Sequence, residues 1–266
     1  MGYLVDNPST TQLLLYATVM ISMWWTEKAI LDQSASIKWR HTSINGAFIL
    51  SALPIQIVIM IFCVHIANWN VHYHWGILYL FPGPESAIMK YGLMFVMLDF
   101  LDYVYHFSMH RVSSFWRFHL VHHTDQVLDV STTVREHPGE TLLRISFLTV
   151  WVFICGASVE VLILRQAVET VSNILSHTTF RLPTKWGRIV GWIFITPNLH
   201  QAHHHFQMPA TNCNYGDVFS IWDRLFGTLM HLAREDTVFG LDTHMEQRSL
   251  AGHYLCPIER KLGVSP

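Results

Sequence analysis

Charge is scarce in this 266-residue sequence. Lys, Arg, Asp and Glu make up 14% of it, against roughly 25% in a typical soluble domain. Seventeen bases against 19 acids leave a net charge of -2, which gives no electrostatic footprint for nucleic acid, and none is expected as a partner. The four cysteines, Cys63, Cys155, Cys213 and Cys256, show no C-x-x-C spacing, and two lie within apolar runs. Neither a disulfide framework nor a cysteine metal site follows from them. Internal repeats and low-complexity tracts are absent. No basic residue precedes the first apolar stretch, and Asp6 stands where a signal peptide needs a positive charge, so that stretch is not expected to be a leader.

What is plentiful is hydrophobic residues, 51% of the chain. They fall in long runs from Leu13 to Trp25, Ile44 to Ala67, Ile88 to Phe107 and Leu142 to Leu164. The second contains no acid or base. About 20 apolar residues are what a bilayer core requires, and the polar faces of a soluble helical core are missing. The expected fold is all-α, an integral-membrane helical bundle. Lys28, Lys38 and Arg40 place the 28–43 loop in the cytoplasm, while the 68–85 loop, free of Lys and Arg, lies on the other side. The third span then returns to the cytoplasm at Arg111 and Arg117. The segment 141–177 reads as a hairpin with limbs of about 18 residues, as a re-entrant pair, or as one span followed by a helix along the membrane. After Pro183 the mixed composition predicts a cytoplasmic cap. The whole reads as one multi-pass domain, in a bacterial inner membrane or endoplasmic reticulum. Residues 1–85 supply N-terminal spans, 86–230 the catalytic region and 231–266 a tail.

Eight of the 18 histidines fall into three blocks: His106-Phe-Ser-Met-His110, His119-Leu-Val-His122-His123 and His200-Gln-Ala-His203-His204. At this histidine content roughly 0.1 HxxHH blocks would arise by accident, so two copies behind an HxxxH are no coincidence. Residues at i, i+3 and i+4 share a helix face, and imidazole suits iron, zinc, copper and nickel. Eight ring nitrogens exceed what one tetrahedral ion can use, so the pattern asks for two metals. Asp99 and Asp102 share a helical face with His106 and His110 and are candidates for fixing an imidazole tautomer. Glu169, Asn173 and His177 likewise line one face. His137 belongs to a turn at Pro138-Gly139. Its His-Pro-Gly-Glu run is like the haem loop of cytochrome b5, but no separate soluble domain accompanies it. His205 extends the third block, and His41, His65, His72, His74, His231, His244 and His253 lack ligand spacing and read as structural. Arg111, Arg117, Arg181, Lys185 and Arg188 could steer an acidic redox partner, or could simply obey the positive-inside rule.

HxxxH, HxxHH and HxxHH in this order, with Thr196-Pro-Asn-Leu-His200, Asn214-Tyr215-Gly216 and Trp222-Asp-Arg-Leu-Phe-Gly-Thr228, resemble the fatty acid hydroxylase/sterol desaturase superfamily of membrane di-iron enzymes over roughly residues 90 to 230. The resemblance implies that His106, His110, His119, His122, His123, His200, His203 and His204 are the catalytic ligands of two iron ions, zinc being a substitute on purification. Asn173-Ile-Leu-Ser-His177 fits the wider group's further ligand and adds His177. O2 is then the co-substrate, and a lipid-like C–H bond (fatty acyl, sterol, carotenoid or similar) is hydroxylated on the cytoplasmic side. The chain lacks the fused cytochrome b5 domain of some members, so electrons are expected from a separate ferredoxin, cytochrome b5 or similar donor. Desaturation of the same substrate class is the alternative chemistry. A membrane metal transporter or sensor is the alternative class, but transporters place ligands near the bilayer midplane rather than at one end of the spans.

Overall fold

Long apolar runs separated by short polar breaks leave the backbone to satisfy its own hydrogen bonds, and helices result. The computed structural model describes residues 8–31, 34–80, 87–241 and 249–258. Among these residues there are helices and two isolated bridges but no strand. The long elements are α1 (Pro8–Leu31), α2 (Ala35–Tyr73), α3 (Ala87–Arg111), α4 (Ser113–His123), α5 (Pro138–Cys155) and α6 (Val159–Ser176). Short helices follow: α7 (Thr184–Val190), α8 (Pro197–His203), α9 (Ile221–Leu225) and α10 (Leu250–Leu255).

With 39 residues, α2 is about 58 Å long, far more than the roughly 30 Å of a hydrocarbon core. The excess corrects the expected 28–43 loop. Ser34 caps α2 by accepting from the Ile37 N–H, so the chain is already helical from residue 35. Lys38, counted above as a cytoplasmic loop charge, is buried with its ammonium 3.0 Å from both Glu27 and Asp129. The first turns of α2 thus belong to a buried ion network, not to a loop. Two helical stretches have the length and apolarity to cross a membrane, Ala35–Tyr79 and Pro138–Cys155.

Residues 141–177 form two helices of 18 residues each, α5 and α6, of which α5 alone has the length and apolarity to cross a membrane. Gly156 turns the chain in the left-handed region, φ 79°, and a Cβ there would meet the Trp75 carbonyl at 2.2 Å. Asn70 fastens this end by donating to the Val152 carbonyl at 2.8 Å. Cys63, Ala67, Met94, Leu98, Val152 and Val161 pack between α2, α3, α5 and α6. The opposite end of the bundle, where α3 and α6 finish and α5 starts, carries the histidines.

Candidate metal centre

Helix spacing sorts the nine histidines into two groups. His106, His110, His119, His123 and His203 bring one ligand atom each within 4.8 Å of the others, and His122, His177, His200 and His204 do the same. Each HxxHH block straddles both. On α4, His119 and His123 are one turn apart and face the first group, while His122 faces the second. On α8, His200 and its one-turn neighbour His204 serve the second group and His203 the first. The groups abut, with the His123 and His204 rings stacked at 4.6 Å between centroids.

The chain fixes which nitrogen points inward. A carbonyl can only accept, so Nδ1 must carry the proton wherever it meets one. His106 Nδ1 donates to the Tyr215 carbonyl at 3.0 Å, and His122 to that of Arg135 at 3.2 Å. His177 donates to the Asn173 carbonyl at 2.8 Å and His203 to that of Cys213 at 2.6 Å. His119 Nδ1 meets Glu140 Oε1 at 2.6 Å, and His110 Nδ1 meets Asn212 Oδ1 at 3.2 Å. Their Nε2 atoms are left as lone pairs. Those of His106, His110 and His203 are buried with no protein partner. Those of His122 and His177 face each other at 3.0 Å, and His200 Nε2 also lies 3.0 Å from that of His177.

Two lone pairs at that distance repel unless a cation lies between them. The spacing suits nitrogens sharing one ion at metal–imidazole bonds of about 2.0–2.1 Å. Protonation offers no escape. Burial holds the His119 imidazole down at about 3 and that of His177 at about 4, so both stay neutral and keep their lone pairs. The residues therefore fit two metal ions, one per group.

Two sequence candidates, Asp99 and Asp102, lie elsewhere. Asp99 hydrogen-bonds no histidine of the groups: it accepts from the Val218 N–H at 3.1 Å and Trp222 Nε1 at 2.7 Å. Asp102 binds the Arg165 guanidinium, 2.8 Å from Nε. Sharing a helix face with His106 did not bring these carboxylates to a ring, because both are used by neighbouring segments. Asp102, Glu169 and Asp217 form a third close group, but Arg165 also pairs with Glu169 at 2.9 Å and fills it. Asn173 does touch His177, through its main-chain carbonyl and not its side chain. Arg181 is spent internally on Gln201, Leu232 and Thr237, whereas Arg111, Arg117, Lys185 and Arg188 are exposed.

Sequence reasoning missed the acceptors. Glu140 is in the first turn of α5, capped by His137, where the helix N-terminus favours a carboxylate. Its distance of 21 residues from His119 concealed the pairing. The main-chain acceptors leave no mark in a sequence. Asn214 is explained by its amide, which donates to the Leu199 and Met230 carbonyls, and Tyr215 and Gly216 by Asp223, whose carboxylate accepts from their N–H groups at 2.8 and 2.9 Å and from the Thr228 hydroxyl at 2.7 Å. That clasp sets the Tyr215 carbonyl that orients His106. His41, His65, His72, His74, His137, His205, His231 and His253 lie outside both groups, and His244 lies outside the described residues.

A profile of the fatty acid hydroxylase family matches residues 91–228, the stretch that carries all nine histidines. The chain belongs to that family. It is 32% identical to ornithine lipid hydroxylase of Rhizobium tropici over 56% of this chain and 44% of that protein. It is 30% identical to human alkylglycerol monooxygenase over 76% of this chain and 43% of the relative. Human cholesterol 25-hydroxylase is 26% identical over 55% and 54%. The chain thus spans under half the length of the first two. No solved structure matches it.

Proposed function

We propose that this chain is a multi-pass membrane lipid hydroxylase whose two histidine groups hold two iron ions. The carrying observation is the pair of converging groups, in which six rings turn Nδ1 to a protein acceptor and the Nε2 atoms of His106, His110 and His203 are buried without a protein partner. The nine ligands are His106, His110, His119, His123 and His203 for one ion, and His122, His177, His200 and His204 for the other. Bound iron would supply the O2 chemistry that breaks an unactivated C–H bond.

The protein's own part is to orient, neutralise and seclude. Glu140 and Asn212 hold His119 and His110 by their side chains, while Tyr215, Arg135, Asn173 and Cys213 hold four other rings by their carbonyls. Burial keeps water from the nitrogens. The groups sit at one end of α3, α5 and α6, directly below the apolar bundle, which favours a substrate entering from lipid over a transport path through the midplane. The relatives act, by their names, on an ornithine lipid, an alkylglycerol and cholesterol, and an amphiphilic lipid is the class inferred here. Arg111, exposed at the end of α3, and Arg117, exposed on α4, support a cytoplasmic orientation. These residues contain no haem, flavin or iron–sulfur motif, so electrons come from another domain or protein of the ferredoxin or cytochrome b5 kind.

The test is reconstitution in membranes with a reductase and either donor, followed by mass analysis of the lipids. A product heavier by one oxygen, dependent on O2 and reductant, is expected. Turnover without either, or one metal per chain, would overturn the reading.

A further inference from the structure

We infer that residues 189–194 and 219–226 form a lobe embedded in the acyl chains of the membrane leaflet that adjoins the metal centre. The inference rests on the reading of α3 as a membrane-crossing helix. Phe219 packs on Phe95 at 6.0 Å, Trp222 on Phe100 at 5.0 Å, and Phe226 on Tyr103 at 5.5 Å. Phe95 is 11 residues before His106, so at 1.5 Å per residue the lobe reaches about 16 Å back along α3. That is half the depth of a hydrocarbon core of about 30 Å. A segment running beside a span to that depth is in lipid.

Its surface agrees. Trp192, Ile193, Phe194, Ile221, Leu225 and Phe226 are exposed large hydrophobics, Trp192 at 64% and Leu225 at 68%. Such a contiguous patch marks an interaction surface. The one acid, Asp223, is buried in its clasp with Tyr215 and Gly216. The Arg224 guanidinium lies 4.2 Å from the Trp192 ring and donates to the Gly191 carbonyl at 2.8 Å.

The backbone agrees independently. Non-helical chain survives at membrane depth only if its polar groups are satisfied. The N–H groups of Gly191, Trp192, Ile193 and Phe194 all bond back to residues 187–190. Ile195 N–H donates to the Val218 carbonyl and Ser220 N–H to that of Ile193, both at 2.9 Å. The Ser220 hydroxyl donates to the Gly191 carbonyl at 2.8 Å. The lobe is knitted to itself as a lipid-facing segment must be.

The experiment places an environment-sensitive fluorophore on Ile193→Cys or Leu225→Cys in the full chain, reconstituted in phosphatidylcholine/phosphatidylglycerol vesicles. Leu93→Cys, on an exposed position of α3, serves as the depth reference. The native cysteines are all buried, so labelling is confined to the new thiol. Both lobe sites should show blue-shifted emission, loss of fluorescence with acyl-chain nitroxide lipids and indifference to iodide, as Leu93→Cys does. Quenching by iodide at the lobe sites, with Leu93→Cys still quenched from the lipid, would overturn the lobe alone. Iodide quenching at Leu93→Cys would overturn the span reading and the lobe with it. Quenching by neither agent, with disulfide cross-links between copies, would make the face a protein interface and also overturn the inference.

Discussion

The histidine groups and the ion network between α1, α2 and the 125–135 segment are both buried and polar, and they meet at Arg135, yet they reach neutrality differently. In the network, Lys38 lies between Glu27 and Asp129, and His41 between Asp125 at 2.8 Å and Asp129 at 3.3 Å. The Arg135 guanidinium donates to the Val121 carbonyl, Asn45 and Thr124 at 2.9–3.0 Å. Its charges answer each other, so it needs nothing from outside. The histidine groups present lone pairs to lone pairs and contain no internal cation. What separates a ligand site from a structural core here is the unanswered acceptor, not the presence of polar residues. The two are also coupled, since the Arg135 carbonyl orients His122 while its side chain clamps the end of α4.

Removing a ligand should have the largest effect. His119→Ala or His203→Ala is expected to abolish lipid hydroxylation and reduce metal content from two ions per chain to one, with the protein still in the membrane. His200→Ala should empty the other group instead. Metal analysis beside product analysis checks both. Full metal content and wild-type turnover in these variants would end the distinction between the two clusters.

Lys38→Met probes the self-sufficient cluster. It strands Glu27 and Asp129 in the interior, and breaking a buried pair in this way typically costs about 3–5 kcal/mol. The loss should appear as a lowered denaturation midpoint of equal size with and without metal. A loss seen only in the metal-loaded protein would instead make Lys38 part of the site.

The convergence of the blocks was legible because side chains that share a helix face recur at i, i+3 and i+4, and that spacing survives in sequence. His177 was legible only through resemblance, being alone at the end of α6. The network was not legible at all. Lys38, His41 and Asn45 look like surface and span residues until α2 is known to continue past the apolar run, and their partners lie about 80–90 residues away. Asp99 and Asp102 misled for the opposite reason: the face they share with His106 is real, but Trp222 and Arg165 claim the carboxylates from outside the helix.

Glu140→Gln sharpens the comparison at a carboxyl that touches the histidine groups. Gln retains an oxygen to accept from His119 Nδ1 but loses the carboxylate. Changes to such a supporting partner commonly lower metal affinity or activity about 10–100-fold. Chelator competition should find the loss confined to the first group. Asp102→Asn should leave metal affinity unchanged and act only through Arg165, and a matching loss in that variant would return Asp102 to the site.

The smallest effect is an acid one and belongs to Asp129. Burial opposes its ionisation, but the hydrogen bond and charge of His41, with Ser131 and Lys38 beside them, hold its carboxyl below the usual carboxylate range. A carboxyl lowered by folding contributes stability above its unfolded value, about 3.9, and loses it as pH falls through the folded value. In metal-free protein, Asp129→Asn should therefore be less stable than wild type near neutrality. The gap should stay constant down to the carboxylate range and narrow below it, as wild type takes up the proton that the variant cannot. Thermal unfolding of both proteins across that range reads the gap directly. A gap that already closes between pH 7 and 5 would mean that Asp129 takes up its proton there, and the network would then not be held by the ionised carboxyl.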